Sequence, residues 1–350
     1  MHGIIESRFA WRGPQLASER DWIHEFTQPE IQEIEDALAA AKSKGRALDN
    51  LTRQDFPIPT VAKRLAIARD VLEDGKGVYQ LRGLRVEGRS KHDLRLLYWG
   101  LGLHFGTAVS QSKDGDILGD VRNVGVDIHS PQGRGYKSNQ RLNFHTDSAD
   151  VVGLFVLRTA MRGGQSKVVS SVTAHNELGR LRPDLLEILY HPFYWSWNQQ
   201  EPAGLLPYYQ QPIFTLHGGK FSCRYIRGHI NNAQHFSDVP RLTSDQIDAL
   251  DLLDQVCNDE GLHVAYDFRP GDIQLLNNHI CMHARSAFED YPEHDRRRHL
   301  LRMWLSVPNS RPLSPALGTI YRDQRSGAVR GGFPSRTGRV IYESTGELVD

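Results

Sequence analysis

Two short segments, far apart in the chain, must meet if either is to do chemistry, and that requirement limits the folds open to this sequence. The first is Asn143-Phe144-His145-Thr146-Asp147. Read as an extended strand, its period-two alternation puts Asn143, His145 and Asp147 on one face and turns Phe144 and Thr146 to the other. A neutral imidazole beside a carboxylate offers two ligands to a divalent metal. The second segment is Asn277-Asn278-His279-Ile280-Cys281-Met282-His283-Ala284-Arg285. His283 would complete a two-histidine, one-carboxylate face, which leaves open positions on Fe(II). His279 shares the face of His283 in a strand, but its apolar follower Ile280 suits a satisfied core histidine equally well. A helical stretch capped by Thr243 or Ser244 lies between the two segments. They are therefore expected to belong to one domain, taken as residues 1–350.

A His-x-Asp pair is common by chance, and its weight here comes from the arginines downstream of His283. In Arg296-Arg297-Arg298-His299-Leu300-Leu301-Arg302-Met303-Trp304, a strand would turn Arg298, Leu300, Arg302 and Trp304 one way. Arg296 and Arg297 suit a solvated basic turn. Arg298 and Arg302 alternate into an apolar strand, a costly place for a cation unless an anion meets it. A guanidinium fork holds a carboxylate bidentately.

Charge and cysteine usage exclude several classes. Lys+Arg and Asp+Glu are both 42, so no net field draws the chain to nucleic acid or to an anionic membrane. No run is apolar and long enough to span a bilayer, and the N-terminus lacks a signal-peptide core. The three cysteines, Cys223, Cys257 and Cys281, are odd in number and lack metal-type pairing, which points to a reducing compartment and a cytoplasmic address. A small-molecule substrate is the expected partner, and a homo-oligomer is compatible with all of this.

Along the chain, Thr27-x-x-Glu30 and Ser90-x-x-Asp93 read as helix starts, with another helix from about Thr60 to Leu72. Gly77–Gly83 frames a short strand. Between Gly100 and Arg141 periodicity fades, and Gln132-Gly133-Arg134-Gly135 reads either as a lid or as an ordinary surface loop. Thr173–Tyr190 is helical, restarting at Pro183. The aromatic run from Phe193 to Tyr209 reads as sheet core before pocket wall. Arg224 and Arg227 are candidates for a substrate carboxylate, although their odd spacing keeps both from facing inward on one strand. The tail beyond about Arg311, rich in Gly, Arg and Pro, is expected to be loosely ordered. Helices early, strands late and one helix inserted between give an α+β class, a sheet core decorated by helices.

These residues resemble the taurine-dioxygenase-like family of Fe(II)/2-oxoglutarate-dependent oxygenases, and in local wording the arm with clavaminate synthase and γ-butyrobetaine hydroxylase. The matching pieces are Asn143–Asp147, Gly163-Gly164-Gln165-Ser166, Asn277-Asn278-x-x-x-x-His283-Ala284-Arg285-x-x-Phe288 and Arg298-x-x-x-Arg302, in the family's order. The resemblance implies a distorted double-stranded β-helix, or jelly roll. It implies His145, Asp147 and His283 as ligands of Fe(II). It places Arg298 and Ser166 on 2-oxoglutarate, with Arg302 facing the co-substrate or an anionic substrate. Asn143 and Asn278 are candidates to brace the ligands. It further implies O2 as co-substrate, succinate and CO2 as co-products, and oxidation of a substrate C–H bond. Family members that halogenate carry a small residue in place of Asp147, so hydroxylation is favoured. The rivals are a zinc hydrolase on the same three residues, which needs a general-base carboxylate, and a non-catalytic jelly-roll binding module.

Overall fold

The computed structural model describes residues 2–126 and 135–338. The loop Gln132-Gly133-Arg134-Gly135, apart from Gly135, lies outside the described residues.

The early helices form where the sequence signals them. Thr27 caps Gln28–Ser43 through a reciprocal capping box with Glu30, and Ser90 caps Lys91–Phe105 by accepting from Asp93 N. The helix Pro59–Asp74 starts on proline and stops at Gly75. Their apolar stripes, including Ile34, Leu38, Val61, Leu65 and Leu97, pack on one face of a seven-stranded sheet.

That larger sheet runs in the order Ile23–Glu25, Val78–Arg82, Ile273–Asn277, Val151–Arg158, His299–Ser306, Thr107–Val109, with Leu118–Val121 also paired to His299–Ser306. Only the Ile23–Glu25 and Val78–Arg82 pair is parallel. Alternation along His299–Ser306 sorts its side chains cleanly. Leu301, Met303 and Leu305 join the helix-side core, while Trp304 joins the core on the other face.

That other face meets a second, antiparallel sheet of four strands, in the order His263–Tyr266, Ser166–Ser170, Cys281–Arg285, Leu142–His145. Chain order is thoroughly shuffled between the two sheets. His145 and His283 are direct register partners on adjacent strands of the smaller sheet. The Arg302 strand lies in the larger one. A pocket between the sheets is thus walled by residues from both.

Two expectations need correction. The first strand ends at His145, and Asp147 lies in the loop beyond it. Its place is set by hydrogen bonds instead of strand alternation. Thr146 N donates to Tyr225 O (2.8 Å) and Asp147 N to Asn278 Oδ1 (2.9 Å). Of the tail beyond Arg311, expected to be loose, 311–333 is packed down, and 339–350 lie outside the described residues. Arg311 is 2% and Arg330 is 1% exposed. Arg311 Nε pairs with Glu73 (2.9 Å), and Arg330 Nε with Asp150 (2.8 Å). Irregular backbone misled the composition reading, because ion pairs and carbonyl contacts substitute for a ladder here.

Candidate metal and co-substrate site

His145, Asp147 and His283 come together, with one ligand atom from each lying within 4.8 Å of the others. The imidazole of His145 is tilted against that of His283, with ring centroids 4.3 Å apart. His145 Nδ1 sits 2.8 Å from its neighbour's carbonyl, Asn143 O. That bond assigns the proton to Nδ1 and leaves the Nε2 lone pair to face the cluster.

Burial lowers the pKa of His145, and it pushes His283 down to about 3, with the His145 ring adding to the effect. Burial alone would raise the Asp147 carboxyl, but Arg302 and then the two imidazoles hold it below its usual range. At neutral pH the cluster is two neutral imidazoles and one carboxylate, the protonation state a divalent cation requires. Asp147 Oδ2 is buried with no hydrogen-bond partner. Lone pairs converging with no donor between them fit a metal ion.

The residues around the cluster do different work. Asn278 holds Asp147 through its backbone N–H, and Asn278 N in turn donates to Asp150 O (2.9 Å). Asn143 contributes through its carbonyl and is among the residues that line the cavity. His279 is not among the cluster. It sits before the Cys281–Arg285 strand, with Nε2 2.8 Å from Asp150 Oδ1. Arg224 requires correction as a substrate residue. It is 1% exposed and is not part of the cavity lining. Its guanidinium donates to Thr146 O (2.9 Å) and Ser148 Oγ (2.8 Å), clamping the loop on both sides of Asp147. Arg227 does reach the cavity, from the helix Arg227–Ala233, but is neutralised by Asp251 and Asp254.

Arg298 is 5% exposed, just before the His299–Ser306 strand, and Nη1 has no partner. Burial pushes its guanidinium down to about 9, with the charge of Arg285 adding to it. The Gly163-Gly164 turn exists to admit this side chain. Gly164 has φ +76°, and a Cβ there would lie 3.3 Å from Arg298 Nε. Two residues on, the Ser166 hydroxyl lines the same cavity and donates to Gln274 Oε1 (2.6 Å), an oxygen that also accepts from Tyr266. Because Tyr266 keeps Gln274 supplied, the Ser166 proton is free to turn toward a ligand. Arg302 lies between the rings of Tyr136 (4.5 Å) and Trp304 (5.1 Å). Its Nε donates to Gln111 Oε1 (2.6 Å), and Nη1 is 3.8 Å from Asp147 Oδ1.

The cavity has a volume of about 900 Å³, toward the upper end for small-molecule sites. Its far wall was not foreseen from sequence. Asn198, Gln199 and Gln200, from the turn after Phe193–Ser196, meet Asn231 and Asn232 of the Arg227–Ala233 helix. Of the aromatic run, Phe193 and Trp195 are core, and Trp197 reaches the cavity. Asn198 and Gln199 have φ of +49° and +64°, and Gln200 N closes the turn on Trp197 O (3.0 Å). Asparagine tolerates that region, whereas glutamine is strained in it. Gln199→Gly is therefore expected to raise stability by about 1 kcal/mol, seen as a higher thermal midpoint. An unchanged midpoint would mean the turn stores no strain.

A family model described as Taurine catabolism dioxygenase TauD, TfdA family matches residues 44–304. FR-33289 synthase of Streptomyces rubellomurinus is 31% identical over 324 residues, covering 90% of this chain and 94% of that protein. Taurine hydroxylase-like protein SAT17 of Stachybotrys chartarum is 27% identical over 315 residues, covering 86% and 79%. Among solved structures, asparagine oxygenase with Fe(II), 2S,3S-3-hydroxyasparagine and succinate matches with a TM-score of 0.62 at 17% identity, covering 81% of this chain and 93% of that one. Non-heme iron oxygenase OrfP with Fe and alpha-ketoglutaric acid matches with a TM-score of 0.58, 17% identity and the same coverage, 81% and 93%. At that identity the likeness is one of fold, the distorted double-stranded β-helix.

Proposed function

The chain belongs to the taurine catabolism dioxygenase TauD, TfdA family, and on that premise we propose that its cavity orients a polar small molecule with an anionic group for C–H oxidation. The protein is an Fe(II)- and 2-oxoglutarate-dependent dioxygenase. In this reading His145, Asp147 and His283 hold the iron, while Arg298 and Ser166 hold the co-substrate. The chain works as one catalytic unit, because His145 and His283 on the smaller sheet face Arg302 on the larger one across a single cavity. Bound iron, with 2-oxoglutarate and O2, supplies the oxidising chemistry, and succinate and CO2 leave as co-products.

The protein's part is placement. Asn278 and Arg224 fix the loop that carries Asp147, so the carboxylate does not swing to solvent. Arg298, buried and with Nη1 unpartnered, would hold the distal carboxylate of the oxo-acid and so fix its orientation. Arg302, whose Nη1 stands 3.8 Å from Asp147 Oδ1, would be available to a substrate anion with Asp147 engaged as a ligand. The amide wall of Asn198, Gln199, Asn231 and Asn232 suits the remaining hydroxyl or amide groups of such a molecule. Relatives named for small polar substrates, such as uridine-5'-phosphate dioxygenase of Amycolatopsis sp, support this class.

The observation that carries the reading is the convergence of two imidazoles and a carboxylate whose Oδ2 has no hydrogen-bond partner, beside a buried arginine with no ion-pair partner among the described residues. A zinc hydrolase fits less well. Among the described residues, Asp147 and Glu201 are the acids lining the cavity, and Glu201 is taken by Arg336 (2.8 Å), which leaves no unpaired carboxylate there to serve as the general base that reading needs. The test is anaerobic addition of Fe(II) and then 2-oxoglutarate to the purified protein. A visible metal-to-ligand charge-transfer band is expected only when both are present. No band, together with tightly held zinc, would move the assignment to the hydrolase.

A further inference from the structure

The co-substrate end of the cavity contains a second guanidinium, at Arg285, which has no part in the proposed function so far. Arg285 lies two residues after His283 on the same strand, so alternation returns it to the face of His283. Its register partner on the neighbouring strand is Ser166. Opposed residues in an antiparallel pair have Cβ atoms about 4.5–5.5 Å apart. Arg285 and Arg298 both pack on the ring of Phe288, at 4.6 and 5.1 Å from its centroid.

Arg285 Nη2 donates to the carbonyls of Ser138 (2.8 Å) and Gln140. Its Nε and Nη1 are buried without a partner, as is Arg298 Nη1. Among the described residues no carboxylate forms an ion pair with either arginine. Asp290 accepts from the backbone N–H of Arg298 (2.8 Å) and not from its side chain. Two like charges in one desolvated place, with three donor atoms unused, lack an anion.

We propose that Arg285 and Arg298 form a paired guanidinium receptacle for a single carboxylate, the distal one of 2-oxoglutarate, flanked by the Ser166 hydroxyl. The proposal rests on the assignment of 2-oxoglutarate to Arg298 and Ser166, and adds to it a second arginine. The count of partners agrees. An ionised carboxylate accepts at about four positions. Arg298 Nη1, Arg285 Nε and Nη1 and the Ser166 hydroxyl supply four donors. The receptacle selects oxo-acids charged at the far end, because a neutral tail would leave both cations buried and unpaired.

The test compares two ligands, 2-oxoglutarate and 2-oxopentanoate, which has the same chain length but no distal carboxylate. Each is titrated anaerobically into Fe(II)-loaded wild type, Arg285→Gln and Arg285→Lys, and the dissociation constants are read by calorimetry. Arg285→Gln is expected to weaken 2-oxoglutarate by roughly 10- to 100-fold, in line with losing charge-assisted hydrogen bonds. Its affinity for 2-oxopentanoate should stay within about twofold, and Arg285→Lys should fall between. Near-wild-type binding of 2-oxoglutarate by Arg285→Gln, or equal loss of both acids, overturns the receptacle. Should Arg285→Gln not fold, Arg285→Lys with the same ligand pair decides. Wild type that binds neither acid would sink the co-substrate reading itself, a result distinct from a loss confined to the variant.

Discussion

Replacing His145 with alanine is expected to abolish Fe(II) binding and turnover while leaving the chain folded. One of three ligands is lost, which weakens the metal by more than the roughly 10- to 100-fold that removing an outer partner of a ligand costs. The fold should tolerate the change. His145 is partly exposed at the end of its strand, and the side-chain bond it gives up is to its own neighbour's carbonyl. Removing it also relieves His283, whose proton affinity is depressed by burial and by the His145 ring. Metal content of the purified variant and its thermal midpoint give the answer together. Wild-type iron content in the His145→Ala protein would refute the ligand assignment, and loss of the folded transition would make His145 structural.

Arg298→Ala is expected to weaken 2-oxoglutarate by roughly thirty- to several-thousand-fold with metal binding mostly intact. Truncating one partner of a buried, hydrogen-bonded charge pair costs about 2–5 kcal/mol, at a factor of ten for each 1.4 kcal/mol. The metal should be spared because Arg298 touches none of the three ligands. It packs against Phe288 and the Gly164 turn, at the entry to a strand of the larger sheet, whereas His145 and His283 lie on the smaller one. The measurement is paired titrations of Fe(II) and of 2-oxoglutarate. Equal losses in both would show that Arg298 shapes the site without holding the co-substrate.

The parts that sequence made visible are those where the residue type alone dictates the local outcome. The helix starts at Thr27 and Ser90 appear because a hydroxyl accepting from the N–H three residues on satisfies a helix start wherever it occurs. The meeting of His145, Asp147 and His283 and the burial of Arg298 were legible because two ligand-bearing segments and an arginine alternating into an apolar strand each call for a partner. The unforeseen features depend on partners distant in the chain. Asp147 is held by Asn278 and by the Arg224 clamp, and no local pattern announces a bond across the fold. Arg224 read as a substrate residue because its sequence neighbours gave no sign of the carbonyls it would find. The amide wall at Asn198–Gln200 was hidden by its backbone, since two successive left-handed residues without glycine look like nothing in sequence.

The packed segment at the C-terminal end bears on the order in which the active centre can be assembled. Arg330 is bonded to Asp150, Asp150 to Asn278, and Asn278 to Asp147, while Phe333 packs on Trp304 and Trp197 at the cavity rim. All three of the proposed iron ligands leave the ribosome before Arg330 and Phe333 do. A nascent chain therefore presents its ligands with the brace and part of the wall still unmade, and the centre is completed only after Arg330 and Phe333 have emerged. Premature termination near position 330 would spare every ligand in the sequence and still deliver a centre with its carboxylate unsupported.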